Sequence, residues 1–212
     1  MFLKLASLIA FGAFAVAPHD PLPDLTIGTA LPAADIKMKD VSGKEITLKD
    51  AAGKNGLLVI FSCNTCPFVV GSDDSEGWEG RYPELAAFSQ RQGVGVVLVN
   101  SNEAKRTDGD SFEDMQKRYK EKSYGGSYVL DANSAVADAF GARTTPHVFL
   151  FDKDMKLAYK GAIDDNVGKT AEVKDRYLEK AMANMVAGKP VDPATTRNIG
   201  CSIKRVAAPH KH

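Results

Sequence analysis

The chain has little of several residue types that define function classes. Cysteine occurs three times, histidine four times and tryptophan once in 212 residues. Three cysteines are too few, and odd in number, for a scaffold stapled by disulfides. Neither sign of charge is in excess, because 27 basic side chains face 27 acidic ones. That balance leaves no basic footprint of the kind nucleic acid selects, so no nucleic-acid partner is expected. Internal repeats are absent, and no linker divides the chain. What remains is an ordinary globular composition, long enough for one domain with a sizeable core.

The first residues are different from the rest. Lys4 gives a short positive start, and Leu5 to Phe14 is apolar or small throughout. Ala13-Phe14-Ala15 then offers an A-x-A cleavage site, which predicts a secretory signal peptide over residues 1–15. A second site, Ala15-Val16-Ala17, would leave Pro18 at the mature terminus, which signal peptidases tolerate poorly. The apolar stretch is short for a bilayer, and no cysteine follows it to carry a lipid, so no stable membrane anchor is expected. The expected location is periplasmic or secreted, where disulfides persist.

After a proline-rich lead-in (Pro18, Pro21, Pro23, Pro32), alternating polarity over 35–41 and 45–48 around Ser42-Gly43 predicts a hairpin. The continuous apolar run Leu57 to Phe61 predicts a strand buried on both faces, and Val94 to Val99 predicts a second. Helices are predicted over 82–91, over 111–122 with Ser111 as N-cap and Asp114 three residues on, over 134–140 with Gly141 as its stop, and over 171–187. Strands are predicted at 128–130, 147–151 and 156–163. Strands alternating with helices, closed by a hairpin, mean an α/β domain with a mixed sheet. The domain is placed at 24–190, followed by a tail, 191–212, that has little periodicity and contains Cys201.

The chemistry centres on Cys63-Asn64-Thr65-Cys66-Pro67, directly after the apolar strand. A C-x-x-C at a strand-to-helix junction lets one helical turn bring two sulfurs within bonding distance, and the helix N-terminus favours a thiolate. Proline at 67 fits a first helical turn. The same pair could be half of a zinc site, which Cys201 and His147 would have to complete. Soft thiolates would also suit Cu(I). A purely structural disulfide is less attractive, since so small a ring gains little from loop closure.

Thr145-Pro146 precedes the apolar strand 147–151. With strand, C-x-x-C, helix, strand, helix, Thr-Pro, hairpin and helix in that order, the chain resembles the thioredoxin superfamily. It is most similar to secreted redoxin-type members, the thioredoxin-like proteins grouped with alkyl hydroperoxide reductases and thiol-specific antioxidants. The residues carrying this are Phe61-Ser62-Cys63-Asn64-Thr65-Cys66-Pro67-Phe68, the segments 145–152 and 159–165, and Gly200-Cys201-Ser202-Ile203-Lys204. The resemblance covers about residues 24 to 204 and implies a thioredoxin-like fold, a central mixed sheet flanked by helices with an N-terminal hairpin and a C-terminal helix plus tail.

The resemblance also implies roles. Cys63 is the exposed nucleophile and Cys66 the resolving thiol. Pro146 is cis, and Thr145 with Pro146 docks the partner's sulfur-bearing strand. His147 and Cys201 are accessory candidates: His147 as a proton donor or a strand-packing residue, Cys201 as a third redox thiol or a small apolar residue in a docked tail. Asp164-Asp165 reads as a pair of turn residues, although the family match invites a ligand role. No acidic residue in the core strand offers itself as a base. The implied activity is thiol–disulfide exchange with protein thiols and disulfides, with no cofactor and no metal. Thiol peroxidase chemistry and a Cu(I)- or zinc-binding chaperone or sensor are the alternatives. Departures matter here. Ser62 stands where thioredoxins have Trp, Asn64-Thr65 replaces Gly-Pro, and neither cysteine has the Pro-x-x-x-Thr-x-x-Cys setting of a peroxidatic thiol.

Overall fold

The computed structural model describes residues 22–206. The leader expected over 1–15 and the terminal His210-Lys211-His212 lie outside the described residues.

Seven strands form one mixed sheet in the order β2-β1-β5-β4-β3-β7-β8. In sequence these are β1 (Met38–Asp40), β2 (Glu45–Ile46), β3 (Leu57–Ser62), β4 (Gly95–Asn100) and β5 (Ser127–Leu130). A separate short strand, β6 (Thr144–Thr145), precedes β7 (His147–Phe151) and β8 (Leu157–Gly161). Pairing is parallel for β3–β4 and β4–β5 and antiparallel for β1–β2, β1–β5, β3–β7 and β7–β8. The helices are α1 (Pro67–Val70), α2 (Tyr82–Arg91), α3 (Phe112–Lys122), α4 (Ala135–Phe140) and α5 (Tyr177–Val186). None of the described helices is long and apolar enough to cross a membrane.

β3 is apolar throughout because both its faces are covered. Successive side chains alternate across a strand. Leu58 and Ile60 therefore join one core cluster with Leu85 of α2 and Leu178 and Met182 of α5. Leu57, Val59 and Phe61 join another with Val136 and Phe140 of α4. Phe61 meets Phe140 edge-on at 5.2 Å and Phe149 at 5.7 Å, an arrangement that adds to burial. At its C-terminal end β3 thus leaves the sheet from a part covered on both faces.

α3 begins as its sequence indicates. The Ser111 hydroxyl accepts from the Asp114 N–H, and the Asp114 carboxylate accepts in return from the Ser111 N–H. The hairpin is shorter than its pattern, because Thr47 and Asp50 bond to each other and turn the chain after Ile46. The long final helix starts late, at Tyr177 rather than Ala171, with a single 3₁₀ turn at Thr170–Glu172 before it. Asp165 accounts for the delay. Its carboxylate accepts from the Lys174 N–H and its own N–H donates to the Asp175 carbonyl, which holds 174–175 extended.

The tail has a structure that its composition hides. Ala194 and Thr196 pair with the backbone of Lys160, and the Thr196 hydroxyl bonds to the Tyr159 hydroxyl and the Ala162 N–H. The chain then crosses to β6, where β9 (Cys201–Ser202) pairs antiparallel with Thr144–Thr145. Past that point Ile203 N–H donates to the Arg143 carbonyl, and Arg205 reaches Asp138 and the Ala142 carbonyl. The tail is a strap running from the β8 edge to α4.

Candidate active site

Cys63 leaves β3, and Cys66 is the N-cap of α1 with Pro67 behind it. All three cysteines are free thiols. The loop between the first two is held by one buried carboxylate. Asp110 accepts from the Asn64 N–H at 2.7 Å and the Thr65 hydroxyl at 2.8 Å. It also accepts from the amides of Asn100 at 2.8 Å and Asn102 at 3.0 Å. These four donors occupy the acceptor positions of a carboxylate, so Asp110 anchors the loop rather than serving as a ready proton acceptor. Gly109 allows the approach: its φ is +88°, and a Cβ there would stand 2.7 Å from the Thr65 methyl. Asp110 escapes sequence reading because it sits in Thr107-Asp108-Gly109-Asp110, a turn-like stretch far from the cysteines in the chain.

Both sulfurs lie against Thr145. Cys63 Sγ is 3.2 Å from the Thr145 hydroxyl, and the Cys66 thiol donates to the Thr145 carbonyl at 3.1 Å. The Thr145–Pro146 peptide bond is cis. The C-x-x-C and the Thr-Pro segment, 79 residues apart in the chain, therefore meet.

The expectation of an exposed Cys63 is not met. Cys63 is 0% exposed and Cys66 3%, and β9 of the strap pairs with Thr145 beside them. The charge also sits differently from expectation. The Cys63 pKa is raised, first because its thiol donates to Cys66, then by burial and by the Asp110 carboxylate. The Cys66 pKa is lowered to about 5 by that same hydrogen bond, with further help from the Cys201 side chain and backbone, against the opposing effect of burial. The pair in the closed state therefore ionises first at Cys66, whose neutral thiol is the donor to Thr145.

Cys201 lies beside the pair, half-buried on β9, in register with Thr145. His147 does not join it. It stacks on Phe149 at 4.4 Å, within the sheet face opposite the cluster that takes in both active-loop cysteines. Burial, then the nearby Lys160 cation, lowers its pKa to about 4, and its Nδ1 has no hydrogen-bond partner. Asp164 is structural as well: it accepts from the Trp78 indole at 2.8 Å and pairs with the buried Arg81 guanidinium at 3.2 Å. Among the described residues no group of three Cys, His, Asp or Glu side chains converges as a metal site.

Comparison with known proteins adds lineage to this geometry. The family model described as Redoxin matches residues 18–177. A hypothetical protein from Sinorhizobium meliloti is 34% identical over 88% of this chain and 98% of its own, with a TM-score of 0.77. An uncharacterized protein from Geobacillus kaustophilus is 30% identical over 89% of this chain and 95% of its own, also with a TM-score of 0.77. At 18% identity, a protein described as a thiol:disulfide interchange protein, DsbE, from Chlorobium tepidum shares the fold. It aligns with 77% of this chain and 99% of its own, with a TM-score of 0.57. No curated protein matches the chain.

Proposed function

The chain belongs to the Redoxin family, and we propose that within it this protein is a thiol–disulfide oxidoreductase of an extracytoplasmic compartment, acting on protein thiols and disulfides through Cys63 and Cys66. One observation carries the reading: both sulfurs stand within 3.2 Å of Thr145, the residue whose backbone leads into Pro146. A partner strand paired there would bring its own sulfur to the dithiol.

The chemistry follows from one proton shared between two sulfurs. Withdrawal of the strap removes the Cys201 donors that favour a Cys66 thiolate and opens Cys63 to solvent. Proton transfer along the Cys63–Cys66 hydrogen bond then puts the thiolate on Cys63. That thiolate attacks a partner disulfide, forming a mixed disulfide and releasing one partner thiolate. Cys66 passes its proton to the released partner thiolate, and its sulfur attacks the Cys63 sulfur of the mixed disulfide, giving Cys63–Cys66 and the second partner thiolate. The pair has lost two electrons and the partner has gained them. The reverse sequence oxidises a dithiol.

The test is equilibration of the protein in defined thiol buffers, acid quenching, alkylation and mass mapping of the modified cysteines. Cys63 and Cys66 are expected to titrate together as one two-electron couple, with a tenfold change in ratio for each ~30 mV. Cys66→Ser is expected to accumulate a mixed disulfide at Cys63. Independent titration of the two sulfurs sinks the reading, and fast peroxide consumption by the reduced protein would put peroxidase chemistry in its place.

A further inference from the structure

The strap lies beside the buried dithiol, and it carries a cysteine there. β9 pairs with Thr144–Thr145, the edge to which a partner strand would dock, and its Cys201 is in register with Thr145. The approach is tight: a Cβ on Gly200 would collide with the Thr145 carbonyl oxygen, so only glycine lets the strand close. The Asn198 amide, turned so that its nitrogen donates, reaches the Pro146 carbonyl at 3.1 Å and the Gly161 carbonyl at 3.2 Å. The strap thus occupies the place of a partner strand and presents a sulfur at that position. Cys201 packs against the buried cluster that holds Cys63 and Cys66, and its side chain and backbone favour the Cys66 thiolate.

We propose that Cys201 is a third exchanging thiol, carried by β9 on the Thr145 edge, which attacks Cys66 once Cys63 and Cys66 are joined. This rests on the dithiol-exchange reading, which supplies the Cys63–Cys66 disulfide from a partner protein disulfide. The Cys201 thiol loses its proton to solvent. Its thiolate forms the Cys201–Cys66 bond as the Cys66–Cys63 bond breaks, and Cys63 departs with the electron pair as a thiolate. One disulfide is exchanged for another, with no net oxidation. Its consequence is positional. The oxidising equivalents move from two buried sulfurs to a pair with one half-exposed member, which a partner thiol can reach while Cys63 is free.

Oxidation of the pair itself arms this step. In the reduced protein, burial and donation to Cys66 raise the Cys201 pKa to about 11. Once Cys66 enters a disulfide its negative charge is gone. What then remains beside the Cys201 sulfur includes the Phe68 N–H and the Lys204 cation, both of which favour a thiolate.

The experiment uses the full chain, poised in reduced and oxidised glutathione, acid-quenched, alkylated and mapped. Wild type is expected to yield Cys66–Cys201 with Cys63 alkylated, alongside Cys63–Cys66. Cys63→Ser is expected to oxidise to an intramolecular Cys66–Cys201 bond rather than take up glutathione at Cys66. Gly200→Val retains all three thiols but lifts the strand, and the Cys66–Cys201 yield is expected to fall about tenfold or more as the local concentration of Cys201 drops. If Cys201 is alkylated at every potential, and Cys63→Ser carries glutathione on Cys66, the relay is wrong while dithiol exchange stands. If Cys63 and Cys66 never form a disulfide with each other, dithiol exchange fails and the relay falls with it.

Discussion

The two sides of the dithiol are held by different means. On one side the Asn64-Thr65 loop is fixed to Asp110, a carboxylate deep in the fold that also gathers Asn100 and Asn102. On the other side Cys66 meets a strap whose strand is two residues long and ends near the chain terminus. The first contact is made of charge-assisted bonds to a fully buried carboxylate, where a lost partner is costly. The second is made of backbone pairing, a few side-chain bonds at Thr196, Lys204 and Arg205, and a single well-buried apolar side chain, Ile203, near the strap's end. A fixed floor positions the sulfurs, and a removable cover controls access to them.

The comparison breaks most sharply at the floor. Asp110→Ala removes the one acceptor shared by three buried donors and the part-buried Thr65 hydroxyl, and its expected cost is about 3–5 kcal/mol in urea unfolding. A cost below about 1 kcal/mol would mean that water already satisfies this site. Truncation after Val191 removes the cover instead. Its expected cost is smaller, about 2 kcal/mol, chiefly from the loss of Ile203 and exposure of the surface it covers. Iodoacetamide should nevertheless react much faster with Cys63 in the truncated protein. Unchanged reactivity would show that something other than the strap shields that sulfur.

The parts of the molecule that sequence made legible are those with a repeating physical signature. β3 is readable because a run buried on both faces is apolar at every position, and α3 because a capping box marks its start. The meeting of Cys63 and Cys66 follows from their spacing. α5 is misjudged at its start because residues 171–176 carry a helix-compatible pattern, and only the distant Asp165 forbids the helix there. β9 is invisible for a simpler reason: two residues cannot display a period. Asp110 looks like a turn residue, and nothing in its neighbours announces that four donors converge on it. Cys63 is legible as a redox thiol position but not as a buried one, since its burial depends on packing that the local sequence does not display.

The pH dependence sharpens the contrast between cover and floor. Two of the influences that lower the Cys66 pKa to about 5 come from Cys201 on the strap. Truncation after Val191 should raise that value by about one unit or more, read as thiolate absorbance against pH. The linkage sign is fixed by direction. The folded value lies below the ordinary 9.0, so the unfolded chain binds more protons there, and reduced protein gains stability as pH rises from about 5 toward 9. That gain is lost as pH falls through about 5. Forming the Cys63–Cys66 disulfide should abolish it, and a pH profile identical in both redox states would contradict a Cys66 thiolate.

His147 gives a smaller acid effect of separate origin. Buried near Lys160 and Arg143, with only Asp24 opposing, it titrates in the folded state at about 4 rather than 6.5. The unfolded chain therefore binds the extra proton first, and stability falls as pH drops from 6.5 to about 4, by at most about 3 kcal/mol. His147→Phe should flatten that limb in oxidised and reduced protein alike, which separates it from the thiol effect.

The smallest expected effect lies where the two sides touch. Asn102 donates through its amide nitrogen to Asp110 at 3.0 Å, and its oxygen accepts from the Lys204 N–H at 2.9 Å. It is the side chain that joins floor to strap. Asn102→Ala should therefore loosen the strap without displacing the loop, at a cost of about 1–2 kcal/mol. In a double-mutant cycle with Gly200→Ala, the interaction energy through Asn102 is expected to reach about 0.5 kcal/mol or more, because both changes release the same segment. Additivity of the two changes would show that the strap closes on the Thr145 edge independently of the Asp110 network. The floor would then position the sulfurs without any influence on whether they are covered.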